Sequence, residues 1–368
     1  MDGRKLIGPL LALLLAVGVG VGIYLSWERK AADDRANIEA SQVVTVRGLI
    51  GSEKEGFFAD PRVVAALRKH GLSVQVEKVG SRAITQRQDL KGYDFAFPAG
   101  APAALKLQGI IKAKETFTPF FTVMAVGSWQ QLLPVLEAND LVRQEAAGYR
   151  VIDMKRVLEL AEKQARWRDL KGNTAYATGR SILINSTDVR KSNSGAMYLA
   201  LASYVANDAN IVQTDAEIAQ VLPLVAPLFL RQGLQEGSSA GPFEDYVTMG
   251  IGKAPLVMIY EAQFLEHLAQ TKTRNPDMVL LYPQPTVYTK HTLVPFTESG
   301  VKLGQVLTSD PELQKLAAES GLRTGNPAHF AAFLKERGLS APAAVIDVVE
   351  PPSYEVLEKM ITEIEKKF

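Results

Sequence analysis

Apolar and polar positions follow a β-α-β order from Val43 onward. Val43 to Ile50 is rich in β-branched and apolar residues, Ser73 to Val79 alternates as a second strand, and Tyr93 to Phe97 forms a third. Between the first two strands, Asp60-Pro61 begins a predicted helix with proline at its first position. Strands that alternate with helices predict an α/β fold, with a mostly parallel sheet covered by helices.

Two extended apolar segments enclose the middle of the chain. They are Thr118 to Val126 and Val279 to Val294, and between them lies a second α/β block. The part after Ser309 is helical, and its last helix, which follows Pro351-Pro352, has apolar residues along one face. Because the 368 residues exceed one ordinary hydrophobic core, two lobes are expected.

The N-terminus predicts a membrane anchor. Leu6 to Trp27 contains no charge, and a helix needs roughly 20 apolar residues to cross a bilayer. A cleaved signal peptide is the alternative, but no Ala-x-Ala site follows the apolar segment. Arg4 and Lys5 favour a cytoplasmic N-terminus, whereas Arg29 and Lys30 on the other flank oppose it. On balance the body is placed outside the cytoplasm. The charged, alanine-rich segment 28–41 is predicted to be a helical stalk.

Small polar residues follow each of the first three predicted strands. These segments are Gly51-Ser52, Gly80-Ser81-Arg82 and Pro98-Ala99-Gly100. In open α/β sheets, ligands bind outside the carboxyl ends of the strands, so the three segments are candidates for one rim of a binding site. Turn chemistry also places Gly and Ser after strands, and at this point both interpretations stand.

The run from Ser181 to Tyr198 is the strongest functional signal. A predicted strand, Ile182 to Ile184, leads into a loop with Ser186 and Thr187, and an apolar helix follows Ser192-Asn193-Ser194. Unpaired backbone N–H groups and the helix dipole favour a small polar or anionic ligand at such a helix start. The alternative is that Ser192 or Ser194 serves only as an N-cap. Glu261, at the end of the predicted strand Ala254 to Tyr260, is a further candidate.

Composition excludes several classes of function. The net charge of +1 gives no basic excess for nucleic acid, and the lack of cysteine removes thiolate nucleophiles and cysteine-zinc sites. The four histidines have no metal-binding spacing, and no phosphate-binding loop or dinucleotide fingerprint is present, so no metal or cofactor is expected. Gly237 to Gly241 matches Gly-x-Ser-x-Gly, but a polar segment precedes it, which favours a flexible loop over a nucleophile elbow. No enzymatic activity is predicted.

These features together resemble the bacterial extracellular solute-binding proteins, and most closely the type 2 periplasmic binding fold of the molybdate and sulfate binders. The resemblance covers the chain from Gln42 onward. It is carried by the segments Gly51 to Arg82, Thr187 to Gly195 and Tyr282 to Tyr288. It implies a two-lobed clamp in which 42–119 and 295–368 form the first lobe, and 120–294 forms the hinge segments and the second lobe, behind the anchor of residues 1–27.

The resemblance also implies a function. A membrane-tethered protein would hold a small polar solute, above all an oxyanion, between its lobes, for delivery to a transporter, for sensing or for resistance to a toxic anion. The alternative is a membrane-anchored scaffold that recruits protein partners. The candidate ligand-binding residues are Ser52, Ser81, Arg82, Ser186, Thr187, Ser192, Asn193, Ser194 and Glu261.

Acidic residues beside the predicted rim are a departure from the family pattern, whose oxyanion sites use hydroxyl and amide donors. An unpaired Asp188 close to the ligand would repel a divalent anion. Three explanations remain open at the level of sequence. Asp188 caps its own loop, it pairs with Arg180 or Arg190, or the ligand carries a positive group.

Overall fold

The computed structural model describes residues 43–342 and 347–368, together with Ser26 alone. The described strands join one eleven-stranded sheet in the order β2-β1-β3-β9-β4-β8-β6-β5, with β7 and β10 paired to β4 and β11 paired to β9. The strands are β1 Val44–Ile50, β2 Leu72–Lys78, β3 Phe95–Phe97, β4 Phe117–Trp129, β5 Val142–Gln144, β6 Arg150–Asp153, β7 Val257–Tyr260, β8 Met278–Gln284, β9 Thr286–Pro295, β10 Arg323–Thr324 and β11 Val348–Val349. The α-helices are α1 Glu55–Ala59, α2 Pro61–Lys69, α3 Ser81–Thr85, α4 Ala101–Ile111, α5 Leu133–Ala138, α6 Met154–Glu162, α7 Asn193–Ala206, α8 Asp215–Leu230, α9 Ala240–Met249, α10 Glu261–Gln270, α11 Glu298–Ser309, α12 Pro311–Glu319, α13 Pro327–Arg337 and α14 Tyr354–Glu365.

The first lobe is built on the parallel strands β1, β2 and β3. Successive side chains of β1 face opposite sides of this sheet. Both sides are buried from Gly48 to Ile50, whereas Val44, Thr45 and Arg47 are exposed. Val46 and Ile50 join an apolar cluster with Leu67 of α2, whereas Leu49 packs on the other side with Leu107 of α4. Burial on both faces explains why β1 ends in the consecutive apolar residues Leu49 and Ile50, as expected for a parallel strand between helices.

The centre of the sheet corrects the prediction of a mostly parallel arrangement. β9 is antiparallel to both β3 and β4, and β4 is antiparallel to β7 and β8. The reason is the path of the chain, which leaves the first lobe along β4 and returns to it along β9. The first half of β4 pairs with β9, and its second half pairs with the second-lobe strands β7 and β8, so these two long strands join the lobes.

The second lobe surrounds α7, whose apolar side chains are buried along nearly its whole length. They belong to a large cluster that also includes Trp167, Phe229 and Tyr246. The prediction of a β-strand at Ile182 to Ile184 is wrong. The segment is buried and extended, but its pairing consists of isolated bridges at Ser181 and Asn185, because neighbouring backbone meets it at these two ends.

The C-terminal segment divides between the lobes. Helices α11 and α12 pack in the apolar cluster of the first lobe. Helix α14, in contrast, places Leu357, Met360, Ile361 and Ile364 in the cluster of the second lobe. The predicted first-lobe segment 295–368 therefore includes one helix whose buried face contacts the other lobe.

The predicted anchor, Leu6 to Trp27, and the predicted stalk, 28–41, lie outside the described residues apart from Ser26. In the part of the chain that the structure describes, no helix combines the length and apolar character needed to cross a membrane.

Glu266 of α10 makes the stability of the fold dependent on pH. Burial, more than the nearby charge of Asp60, raises the pKa of this carboxyl from 4.5 to about 7, although a hydrogen bond from Gln270 opposes the rise. The folded state therefore holds a proton that the unfolded chain loses near its ordinary pKa. The stability contributed by this proton is complete below pH 4.5 and is lost as the pH rises towards about 7.

We expect Glu266→Gln to be more stable than the native chain above neutral pH, by on the order of 1 to 2 kcal/mol, because the partly buried amide carries no charge. Urea unfolding at several pH values measures the difference. Glu336→Gln, which changes an exposed carboxylate, is the control and should leave the pH profile unaltered. A profile for Glu266→Gln that is parallel to that of the native chain would contradict the assignment.

Candidate functional site

A cleft of about 240 Å³ lies between the lobes, at the carboxyl ends of β1 and β2. It is smaller than the roughly 300 to 1,000 Å³ of pockets for drug-sized ligands, so it suits a small solute. The first lobe contributes Gly51, Ser52, Glu53, Lys78, Val79, Gly80 and Ser81, and the second lobe contributes Ser192, Asn193, Gly237, Ser238, Ser239, Ala240 and Tyr260.

Helix starts from both lobes meet at this cleft. In the first lobe these are the short 3₁₀ helix Ser52–Lys54 and α3, which begins at Ser81. In the second lobe, Ser192 and Ser239 occupy the N-cap positions of α7 and α9. Backbone N–H groups at helix starts lack intrahelical partners and carry partial positive charge, so they favour an anion. The cleft therefore has anion-attracting groups on both walls.

The hydroxyl of Ser192 does not cap its helix. Its Oγ lies 3.0 Å from Ser194 Oγ, and Ser194 Oγ in turn lies 2.8 Å from Thr187 Oγ1. The N-cap alternative from the sequence thus finds no support in the side-chain geometry of Ser192. Ser194 and Thr187 are buried behind Ser192, where they hold its hydroxyl in place at the cleft wall.

Other hydroxyl and amide groups of the cleft are oriented by defined bonds. Ser81 Oγ accepts a 2.9 Å bond from the backbone N–H of Ala99, which leaves its own proton available to a ligand. Asn193 Nδ2 donates to the hydroxyl of Tyr260 over 3.1 Å. Burial raises the pKa of Tyr260, so this hydroxyl stays protonated and remains a donor. The arrangement is rich in donors for the oxygens of an anion.

The two walls touch each other across the cleft. Ser52 Oγ lies 2.9 Å from Ser238 Oγ, and Arg82 of the first lobe donates to the carbonyl of Arg190 in the second. Gly80 lies so close to the second lobe that an added Cβ would be 2.5 Å from the carbonyl oxygen of Lys191. The structure is therefore closed around the cleft.

A charged pair lies at the first-lobe wall. Glu53, whose side chain is 4% exposed, lines the cleft, and its Oε1 accepts from Nζ of the fully buried Lys54. Burial lowers the pKa of Lys54, while the carboxylate of Glu53 opposes that change. Nδ1 of His291 lies 3.5 Å from Lys54 Nζ, and burial holds the pKa of His291 well below its ordinary value, so this imidazole is neutral. The Lys54 ammonium also lies 4.9 Å from the centroid of the Phe97 ring.

The nine residues proposed from the sequence separate into two groups. Ser52, Ser81, Ser192 and Asn193 line the cleft. The other five lie outside its lining, in buried or partly buried bonds that the sequence does not show. Arg82 pairs with Glu358, Ser186 bonds to Gln232, Thr187 and Ser194 bond to each other, and Glu261 pairs with Arg323 and Tyr282.

Asp188 is paired with Arg190, one of the partners left open by the sequence. Arg190 Nη2 donates to Asp188 Oδ2 over 2.7 Å, and the backbone N–H of Arg190 donates to Oδ1. Burial would raise the pKa of Asp188, but the bonds from Arg190 outweigh it and the pKa is lowered. The charge of Asp188 is thus balanced by Arg190, and Asp188 lies outside the cleft lining.

Sequence reasoning missed Lys78, Ser238, Ser239 and Tyr260 as cleft residues. The segment Gly237 to Gly241 was interpreted as a flexible loop. Its residues Gly237 to Ala240 line the cleft, and α9 begins at Ala240. One signal was available, because a Gly-Ser-Ser run before a helix repeats the chemistry of Ser192 to Gly195. In the described part of the chain, no group of three or more His, Asp or Glu side chains is placed to hold a metal ion.

Comparison with solved structures identifies the architecture. The sulfate-binding protein SubI from Mycobacterium tuberculosis H37Rv superimposes with a TM-score of 0.51 at 15% identity, over 82% of this chain and 93% of SubI. The periplasmic binding protein AfuA from Actinobacillus pleuropneumoniae, with bound fructose-6-phosphate, gives 0.55 at 8% identity, over 87% and 97%. The fold is that of a type 2 periplasmic solute-binding protein.

Relatives within this binding-protein fold carry different ligands. Iron-bound HitA from Pseudomonas aeruginosa matches with a TM-score of 0.53 at 11% identity, over 88% of this chain and 99% of HitA. No family model matches the sequence, and no curated protein matches it. At such identities the likeness establishes the binding-protein fold and leaves the ligand to be argued from the cleft.

Proposed function

We propose that this protein binds a small oxyanion in the cleft between its lobes. The observation that carries the proposal is the convergence of hydroxyl donors and helix starts on a cleft of about 240 Å³. The charged side chains that line the cleft are compatible with it, because Glu53 is paired with Lys54 and Lys78 with Glu55. Asp188, outside the lining, is balanced by Arg190. The open volume favours ligand binding over the scaffold alternative, for which a cleft filled by its own side chains is expected.

Binding would be coupled to closure of the lobes. β4 and β9 are the long strands that run from one lobe to the other, and they are the natural place for a hinge. Ligand contacts on both walls would stabilise the closed form. Such a closure serves delivery of a solute to a transporter, sensing, or sequestration of a toxic anion.

The proposed location is the outer face of the cytoplasmic membrane. It is supported by the uncharged segment Leu6 to Trp27 and the basic residues that precede it. In this arrangement the stalk of residues 28–41 would hold the two lobes close to the membrane, where a transporter can receive the solute.

Calorimetry of the full chain in detergent tests the function, with molybdate, tungstate, sulfate, phosphate and tellurite as ligands. We expect at least one of them to bind. Ser192→Ala should weaken that binding by roughly 1 to 3 kcal/mol, because a desolvated anion oxygen loses a donor. Ser203→Ala is the matched control, since Ser203 is buried in the same helix and bonds to the carbonyl of Ala200.

Absence of binding by every anion, in folded protein freed of ligand, would refute the oxyanion function. Equal affinities of the native chain and Ser192→Ala would remove Ser192 from the site.

A further inference from the structure

The last helix, α14, contacts both lobes. Its buried face packs in the apolar cluster of the second lobe and consists of Leu357, Met360, Ile361 and Ile364. The first turn of the same helix lies against the first lobe. There the hydroxyl oxygens of Tyr354 and Thr85 are 3.1 Å apart, and Lys106 Nζ lies 5.3 Å from the centroid of the Tyr354 ring. Helix α14 is therefore anchored in the second lobe and reaches across to the first.

An ion pair joins α14 to the first lobe. From α3, Arg82 Nε donates to Glu358 Oε1 over 2.6 Å, and Arg82 Nη2 donates to Glu358 Oε2 over 2.7 Å. Two parallel bonds of this kind fix the geometry of an arginine–carboxylate pair as well as strengthening it. The two side chains are 11% and 23% exposed, so solvent and salt screen this pair less than they screen a pair on the open surface.

Arg82 can make these bonds only when the lobes are in contact. Its helix α3 belongs to the first lobe, where Ile84 packs with Leu107 of α4. The third donor of the guanidinium, Nη1, bonds to the carbonyl of Arg190, which is also in the second lobe. When the lobes separate about the hinge strands, Arg82 must leave both of these partners. The bonds of Arg82 are therefore a property of the closed arrangement.

From these contacts we infer that α14 is a strap that stabilises the closed arrangement of the lobes without contacting the ligand, and that the pair of Arg82 and Glu358 holds it to the first lobe. The inference goes beyond the proposed function, because it concerns closure itself and holds for any solute that the cleft takes. The strap raises the population of closed molecules before binding. It thereby raises the apparent affinity for whatever ligand the closed cleft holds.

The test measures the closed population of the full chain in detergent, with no anion present. The chain has no cysteine, so Lys91→Cys and Lys155→Cys, at exposed positions of the first and second lobe, place one spin label in each lobe. Pulsed electron resonance then gives the distribution of distances between the labels. Glu358→Gln should lower the ratio of closed to open molecules by about 10-fold, because closure then buries the charge of Arg82 without its counter-charge.

Lys359→Met is the matched control. Lys359 follows Glu358 on α14, but its partner Asp215 belongs to α8 of the second lobe, so their 2.7 Å ion pair does not connect the lobes. This variant should keep the native distribution of distances. A shift as large as that of Glu358→Gln would overturn the inference, because the effect would then come from α14 losing its place on the second lobe.

A double-mutant cycle completes the test, with circular dichroism to confirm that each variant is folded. Arg82→Met should also lower the closed population, and adding Glu358→Gln to it should change little further, because the pair is already broken. Equal distributions for the native chain and Glu358→Gln, or additive effects of the two substitutions, would overturn the inference. Since no anion is present, either result leaves the proposed function standing, and a failure of every anion to bind leaves the strap standing.

Discussion

Gly80→Ala is expected to weaken ligand binding by about 100-fold while the protein remains folded. We expect the substitution to separate the two cleft walls and so to break two hydrogen bonds to the anion, which costs roughly 3 kcal/mol of binding free energy in total. The backbone at Gly80 has φ −57° and ψ 136°, which alanine adopts without strain. The obstacle is space, since the new Cβ would lie 2.5 Å from the carbonyl oxygen of Lys191. A backbone carbonyl cannot rotate away as a side chain does. The lobes must therefore stay apart, and one wall alone then holds the ligand.

The control is Gly92→Ala, at a first-lobe position where an added Cβ meets no atom within 4 Å. It should bind the anion with the same affinity as the native chain. Titration calorimetry gives the affinity, and small-angle X-ray scattering with saturating ligand reports whether the lobes close. A Gly80→Ala protein that binds with native affinity would show that the close approach of Gly80 to Lys191 is not part of the bound state.

The sequence predicted local elements best where one physical cause dominates. The helix after Asp60 was predicted from its N-cap and proline, and Asp60 does accept a bond from the backbone N–H of Arg62. The strand that the β-branched and apolar residues predicted at Val43 to Ile50 is found at Val44–Ile50. The antiparallel centre of the sheet was not predicted, because strand direction there depends on where the chain crosses between lobes. No local pattern encodes that crossing.

The cleft was predicted in part for the same reason. Ser52, Ser81 and Ser192 follow strands or precede helices, so their position at a rim follows from local structure. Glu261 shares that local pattern, but its carboxylate turns away from the cleft towards Arg323, which lies far away in the sequence. The pair of Glu53 and Lys54 lies beside His291 of β9, a neighbour that only the folded chain brings to it. Long-range side-chain bonds thus account for part of the difference between the predicted residues and those that line the cleft, since Arg82 pairs with Glu358, Glu261 with Arg323, and Ser186 bonds to Gln232.

The largest effect on stability is expected from breaking the buried pair of Glu261 and Arg323. Arg323 Nε donates to Glu261 Oε2 over 2.7 Å and Nη2 to Oε1 over 2.8 Å, while the hydroxyl of Tyr282 donates to Oε1. Glu261 is 0% exposed and Arg323 is 5% exposed. Arg323→Met leaves a buried carboxylate for which, among the described residues, the Tyr282 hydroxyl is the remaining side-chain donor. The expected loss is about 3 to 5 kcal/mol in the free energy of unfolding, measured in urea.

A double variant distinguishes the contribution of the ion pair to the free energy of unfolding from the destabilisation caused by one unpaired buried charge. Glu261→Leu/Arg323→Met removes both charges, so it should recover most of the stability that Arg323→Met loses. The exposed pair of Lys69 and Glu312 is the matched control, with side chains 63% and 50% exposed. There Lys69→Met should cost at most about 1 kcal/mol. If Arg323→Met lowers the free energy of unfolding no more than Lys69→Met does, the Glu261 carboxylate must be hydrated or protonated in the variant. The link that this pair makes between α10, β8 and β10 would then contribute little to holding the hinge strands in register.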